Sequence, residues 1–145
     1  MRFTEGAPKD RFTLTNTGGC DLPAMTVTLD IGASPAGLIF DVTAQGAGVE
    51  VFQPFELVAG AALLREMPKV TDGDAAIVLA LHALAPGQGV AFTIDVDDTG
   101  GAREITVNGS EIAGAEVSAT LAGKTRLARF TDQGTALLPT PPCVS

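Results

Sequence analysis

Apolar and polar residues trade places one by one through much of this chain, and that period of two leaves few folds open. In Arg11–Asn16, Phe12 and Leu14 fall on one side and Thr13 and Thr15 on the other. In Thr26–Ile31, Val27, Leu29 and Ile31 alternate with Thr26, Thr28 and Asp30. In Val90–Asp97, Val90, Phe92, Ile94 and Val96 alternate with Ala91, Thr93, Asp95 and Asp97, and Glu116–Leu121 alternates again. Successive side chains of a strand point to opposite faces of its sheet. Each segment therefore offers one apolar row for a core and one polar row for water, the pattern of antiparallel sheets with a single wet face.

Leu38–Val42 and Ile77–Leu84 are more apolar, each interrupted by one polar residue (Asp41, His82), and read as central strands. Arg126–Phe130 reads as the last strand, and a short strand is expected around Phe3. Ala61–Met67, closed by Pro68, reads as strand or irregular chain with room for a helical turn. Turn residues separate these segments: Asn16-Thr17-Gly18-Gly19, Asp72-Gly73-Asp74, Ala85-Pro86-Gly87-Gln88-Gly89 and Thr99-Gly100-Gly101. Strands punctuated by turns every 8–12 residues or so point to an all-β, Ig-like antiparallel β-sandwich. Residues 1–136 form its single domain, and 137–145 a Pro-rich tail that is extended against the domain or serves as a linker. The N-terminal strand and this tail are the segments expected to be free to complete a neighbour's sheet.

Composition narrows the function. The chain has 145 residues, 46% of them hydrophobic and 18% charged, enough apolar material for one real core. Its net charge of -8 repels phosphate backbones, and no Lys/Arg cluster offsets it, so nucleic acid is not the expected partner. No stretch is long and apolar enough to span a bilayer. Trp and Tyr are absent and the seven Phe are expected in the core, which disfavours a glycan-stacking platform and the usual aromatic interface anchors. Two cysteines are present, Cys20 and Cys143. They are either separate thiols or a disulfide that ties the tail to an early loop, and the disulfide requires an oxidising compartment. Met1-Arg2-Phe3 leads straight into domain sequence, so a secreted or cell-surface protein with its leader removed is expected.

The acidic run Asp95-Val96-Asp97-Asp98-Thr99-Gly100-Gly101, with Glu104 close behind, is the leading candidate site. Alternation puts Asp95 and Asp97 on one face, Asp98 enters a Gly-rich turn, and a bound cation relieves the mutual repulsion of carboxylates. Calcium on Asp95, Asp97, Asp98 and Glu104 is one reading, and a charged, solvated strand edge is the other. The spacing imitates the start of an EF-hand loop but puts Thr99 at the fifth place and Thr106 at the twelfth, where that loop needs a Glu. Asp72-Gly73-Asp74 is accounted for by a turn, and Asp30 by a cap or a solvent-facing position. His82, the one histidine, is expected as a partly buried polar residue of its strand. No serine sits in a nucleophile elbow, and one His with two Cys does not make a four-ligand zinc site. Asn108-Gly109-Ser110 reads as a turn. No catalytic residues are expected.

The segment Arg11-Phe12-Thr13-Leu14-Thr15-Asn16-Thr17-Gly18-Gly19, followed later by Leu84-Ala85-Pro86-Gly87, resembles bacterial Ig-like modules. Four further segments extend the likeness: Glu5–Phe12, Gly37–Val42, Gly48–Phe55 and Phe92–Asp98. Together they resemble bacterial secreted proteins labelled aggregation factor core. That resemblance implies calcium-dependent cell adhesion. The expected function is therefore a non-catalytic extracellular adhesion or aggregation module acting on protein partners or on itself. A self-assembling matrix subunit and a polysaccharide-binding accessory domain are the alternatives.

Overall fold

The alternating segments become strands in a computed structural model, which describes residues 1–5, 10–35, 37–40, 55–70, 73–98 and 109–141 (the backbone alone at 97–98 and 109–110). In chain order these are β1 Arg2–Thr4, β2 Asp10–Thr15, β3 Met25–Asp30, β4 Leu38–Phe40 and β5 Glu56–Ala59. Then follow β6 Ala76–Leu81, β7 Gly89–Ile94, β8 Val96–Asp98, β9 Glu116–Leu121 and β10 Lys124–Arg129. One four-stranded sheet has the order β1-β2-β7-β5, a second β10-β9-β3-β6, and β4 pairs with β8 in a two-stranded ribbon. Every pairing is antiparallel, so the fold is an all-β antiparallel sandwich. Among the described residues no helix is long and apolar enough to cross a membrane.

Burial follows the alternation. Met25, Val27 and Leu29 of β3 are buried while Thr26, Thr28 and Asp30 are only half so. Register carries the effect across strands. Phe3 pairs with Phe12, and Phe12 with Phe92, which sets an aromatic row at right angles to β1, β2 and β7. Ring centroids along the row lie 5.1 Å and 5.4 Å apart, and Phe55 extends it at 4.9 Å from Phe92. Phe130 meets Phe12 edge-on at 6.3 Å and closes the row from the far side. Each such pair adds about 0.5–1.5 kcal/mol to what burial alone supplies.

Several expectations need correction. Val90–Asp97 is not one strand: the ladder breaks at Asp95, β7 pairing with β2 and β5 and β8 with β4. The buried carboxylate of Asp10 accepts the Val96 N–H at 3.1 Å and so satisfies a peptide donor that this change of partner leaves without a strand. Neither apolar segment is central. β4 belongs to the ribbon, and β6 is an edge of its sheet, its outward Val78 51% exposed. The free side of β6 is covered by residues 63–65: Arg65 N–H donates to Ala80 O and His82 N–H to Leu63 O. Those residues follow the 3₁₀ turn Ala61–Leu63, so Ala61–Met67 is a turn plus one bridge, Leu64 to Leu81. His82 lies beyond β6 and is exposed, not partly buried. Gly109–Ile112 forms one helical turn where a tight turn was expected.

The last strand starts two residues earlier than Arg126, at Lys124, and forms a hairpin with β9. Its two-residue turn is Ala122-Gly123, with φ of 49° and 79°. Both signs are positive, as the twist of a two-residue hairpin demands, and Ala122 is the residue that bears the steric cost. Asp30 behaves as expected: its Oδ1 accepts the Gly32 N–H and caps the 3₁₀ turn Ile31–Ala33.

Candidate functional site

A groove lies at one end of the sandwich, built largely from residues that read individually as core. Leu14 enters from β2, Met25 and Val27 from β3, and Ala119 and Leu121 from β9, so both sheets contribute walls. β1 pairs with β2 only as far as Thr13. Beyond that point the two sheets are bridged by the C-terminal segment, which runs across the mouth from Thr135 to Pro141. The cavity measures about 360 Å³.

The segment that straps the mouth is fixed at its start. Phe3 N–H donates to Gly134 O at 2.8 Å and Ala136 N–H to Met1 O at 2.9 Å, while the Met1 amine donates back to Ala136 O at 2.7 Å. Burial pushes the pKa of that amine below its usual value. β1 thus lies between β2 and residues 134–136. The N-terminal strand is already paired on both sides and so is not free to complete a neighbour's sheet as expected, while residues 137–141 of the tail line the groove with Leu137, Pro139 and Thr140 exposed.

The far end of the strap meets the Asn16–Cys20 loop. Asn16 is buried there, and its amide does three jobs. Nδ2 donates to Cys20 O at 2.9 Å and to Leu84 O at 3.0 Å, and Oδ1 accepts the Gly18 N–H at 3.0 Å. This fastens the loop to the turn before β7. Cys20, on that loop, is disulfide-bonded. Cys143, the chain's other cysteine, lies outside the described residues. Thr140 and Pro141 lie beside Gly19 and Cys20 in a second, smaller cleft, so the strap reaches the oxidised sulfur's neighbourhood.

The rim has its own electrostatics. Arg2 is the one charged side chain among the described residues that line the groove, and no carboxylate is among them. Strand geometry adds a backbone pair. Asn16 N–H donates to Gln88 O on the β7 side, so alternation turns the Thr15 N–H and C=O the other way, toward the groove.

The acidic candidate is located less fully. Asp95 is half-buried at the joint between β7 and β8, and Asp97 and Asp98 belong to β8 opposite Ile39 and Leu38. The side chains of Asp97 and Asp98, and all of Glu104, lie outside the described residues. Among the described residues no group of three or more His, Cys, Asp or Glu side chains is placed to hold a metal. Asp72 and Asn108 also lie outside the described residues, and Gly73 takes the positive φ, 86°, of its turn.

Two features escaped the sequence reading. Asp10 carries a hydrogen-bond role with no local motif, visible only as a carboxylate opening an otherwise apolar-alternating strand. The groove carries no motif at all, because its walls are far apart in the chain. No protein-family model, curated protein or solved structure matches the chain.

Proposed function

We propose that this chain is an extracellular adhesion or cell-aggregation module that works through contact between surfaces, its partners being proteins or further copies of itself. The observation that carries this reading is β10. It is an edge strand, and the hairpin closed by the Leu121–Lys124 pair directs the N–H and C=O groups of Thr125, Leu127 and Arg129 away from β9. Leu127 on the same strand is 51% exposed. Among the described residues nothing pairs with that side of β10, and such an edge is a template for strand addition. Lys124 and Arg126 on it oppose pairing with an identical edge and favour an acidic one, while Arg129 is paired with Glu116 at 3.0 Å.

Two further observations support the reading. The oxidised Cys20 fits an extracellular setting, with Cys143 as its proposed partner. The resemblance of Glu5–Phe12, Gly37–Val42, Gly48–Phe55 and Phe92–Asp98 to secreted proteins labelled aggregation factor core supports the same role. His82 is solvent-exposed and outside the groove, which suits a protein without acid–base chemistry. Calcium on Asp95, Asp97, Asp98 and Glu104 is the proposed aid to cohesion, through neutralisation of part of the net charge of -8.

Sedimentation velocity and negative-stain electron microscopy of the purified chain, with millimolar calcium and with chelator, test this. Concentration-dependent oligomers are expected, larger with calcium. A monomer at every concentration in both conditions refutes self-association and confines the reading to other protein partners, and oligomers indifferent to chelator remove calcium from it. A single filament form in place of irregular aggregates selects the matrix-subunit alternative, which the same free edge serves.

A further inference from the structure

We infer that the strapped groove binds one aliphatic chain bearing an anionic head, in chemical class a fatty-acid carboxylate. The proposal is independent of the adhesion reading and stands or falls on the groove alone. At depth the walls are hydrocarbon: Leu14 from one sheet, Met25 and Leu121 from the other. Met25 adds an unbranched side chain that adapts to the shape of what it meets. The volume of about 360 Å³ sits near the lower end of the roughly 300–1,000 Å³ usual for ligand pockets, which suits a slim chain better than a sugar or a fused ring. Leu138, half-buried against the core, roofs the same channel.

The sign of the head follows from charge complementarity. The chain carries 17 Asp and Glu against 9 Lys and Arg, yet among the described residues no carboxylate side chain lines this groove and Arg2 does. An anion at the rim meets the guanidinium and the inward-turned Thr15 N–H, two donors. A cationic head meets Arg2 with like charge, and the inward-turned Thr15 C=O is the one backbone acceptor that offsets it.

Titration calorimetry with a series of saturated carboxylates, each below its micelle concentration, tests the site. One-to-one binding is expected, tightening about fourfold per added methylene until the groove is full and level thereafter. Dodecanol and dodecyltrimethylammonium are expected to bind more weakly than dodecanoate. Arg2→Glu, on an exposed rim side chain, is expected to weaken dodecanoate by about threefold to tenfold and to strengthen the ammonium ligand. Ala119→Leu fills the floor and is expected to bring the level region at a shorter chain length, with circular dichroism confirming an intact fold. Absence of saturable binding overturns the proposal. So does an affinity that keeps rising with chain length, the mark of surface adsorption, and so does a head preference that Arg2→Glu leaves unchanged.

Discussion

Asn16 offers a sharp test of how the strap end of the molecule is held, because aspartate and alanine break its contacts in different ways. Asn16→Ala removes three side-chain hydrogen bonds, to Cys20 O, Leu84 O and Gly18 N–H. At about 1 kcal/mol each, the loss is about 3 kcal/mol. It stays near that figure because Leu84 O retains the Leu22 N–H at 2.8 Å and is not orphaned. Asn16→Asp keeps the size of the side chain and the bond from Gly18. It loses both donors and turns a buried anion toward two carbonyl oxygens. The lost donors account for about 2 kcal/mol, and charge burial beside carbonyl dipoles for roughly another 1–3 kcal/mol. The nearly isosteric change is therefore expected to be at least as damaging as alanine at neutral pH.

The two variants also separate by pH. Burial and the carbonyls raise the folded-state pKa of the Asn16→Asp carboxyl above its unfolded value near 3.9 or so. Between those two values the folded chain binds more protons than the unfolded one. Stability then falls as pH rises and recovers as pH falls, by up to about 1.4 kcal/mol per unit. Once protonated, the acid donates to one of the two carbonyls. Urea unfolding followed by circular dichroism is the assay, since the chain has no Trp or Tyr to report by fluorescence. Asn16→Asp within about 1 kcal/mol of the parent at neutral pH, or with the parent's own pH slope, refutes the reasoning.

Four further outcomes are expected. Ala122→Gly relieves the one positive-φ non-glycine among the described residues and is expected to raise stability by about 0.5–1 kcal/mol, seen as a higher urea midpoint at unchanged m-value. Gly89→Ala drives a methyl into the Leu14 carbonyl oxygen and to 3.0 Å from Thr15 Cα, both backbone, and is expected to cost at the upper end of roughly 1–3 kcal/mol in the same experiment. Phe92→Ala opens the middle of the aromatic row, with an expected loss of roughly 3–5 kcal/mol by thermal or urea unfolding. Non-reducing peptide mapping is expected to link the Cys20 and Cys143 peptides. Cys20→Ser is expected to cost up to about 4–5 kcal/mol, as for a bond closing a very long loop, and a map with Cys143 free contradicts the assignment.

What the chain displayed openly were strands whose two faces meet different surroundings. Arg11–Asn16, Thr26–Ile31 and Glu116–Leu121 match β2, β3 and β9 to within a residue, because a one-residue slip exchanges a buried row for a wet one. The same rule hid the β7–β8 joint. Ile94 and Val96 are both buried, so alternation runs unbroken through Asp95 while the pairing partner changes. β5 has no such signature: its four residues are exposed or half-buried and its register shifts between Leu57 and Ala59. β6 misled in the other direction, because the apolar character that suggests a central strand reflects a cover of loop, residues 63–65, over a sheet edge.

The groove marks a different boundary of what local pattern encodes. Leu14, Met25 and Leu121 each obey the inward rule and are each buried, so every one is correctly read as core. What separates core from cavity there is the object opposite them. Where β1 stops pairing at Thr13, the wall is taken over by Leu138 and the prolines that follow, and proline has no N–H with which to extend the ladder. A tail that cannot complete the ladder leaves Thr15's peptide groups turned toward space instead of toward a strand. Pro139 and Pro141 therefore decide whether that end of the sandwich is sealed as a sheet or spanned by a strap.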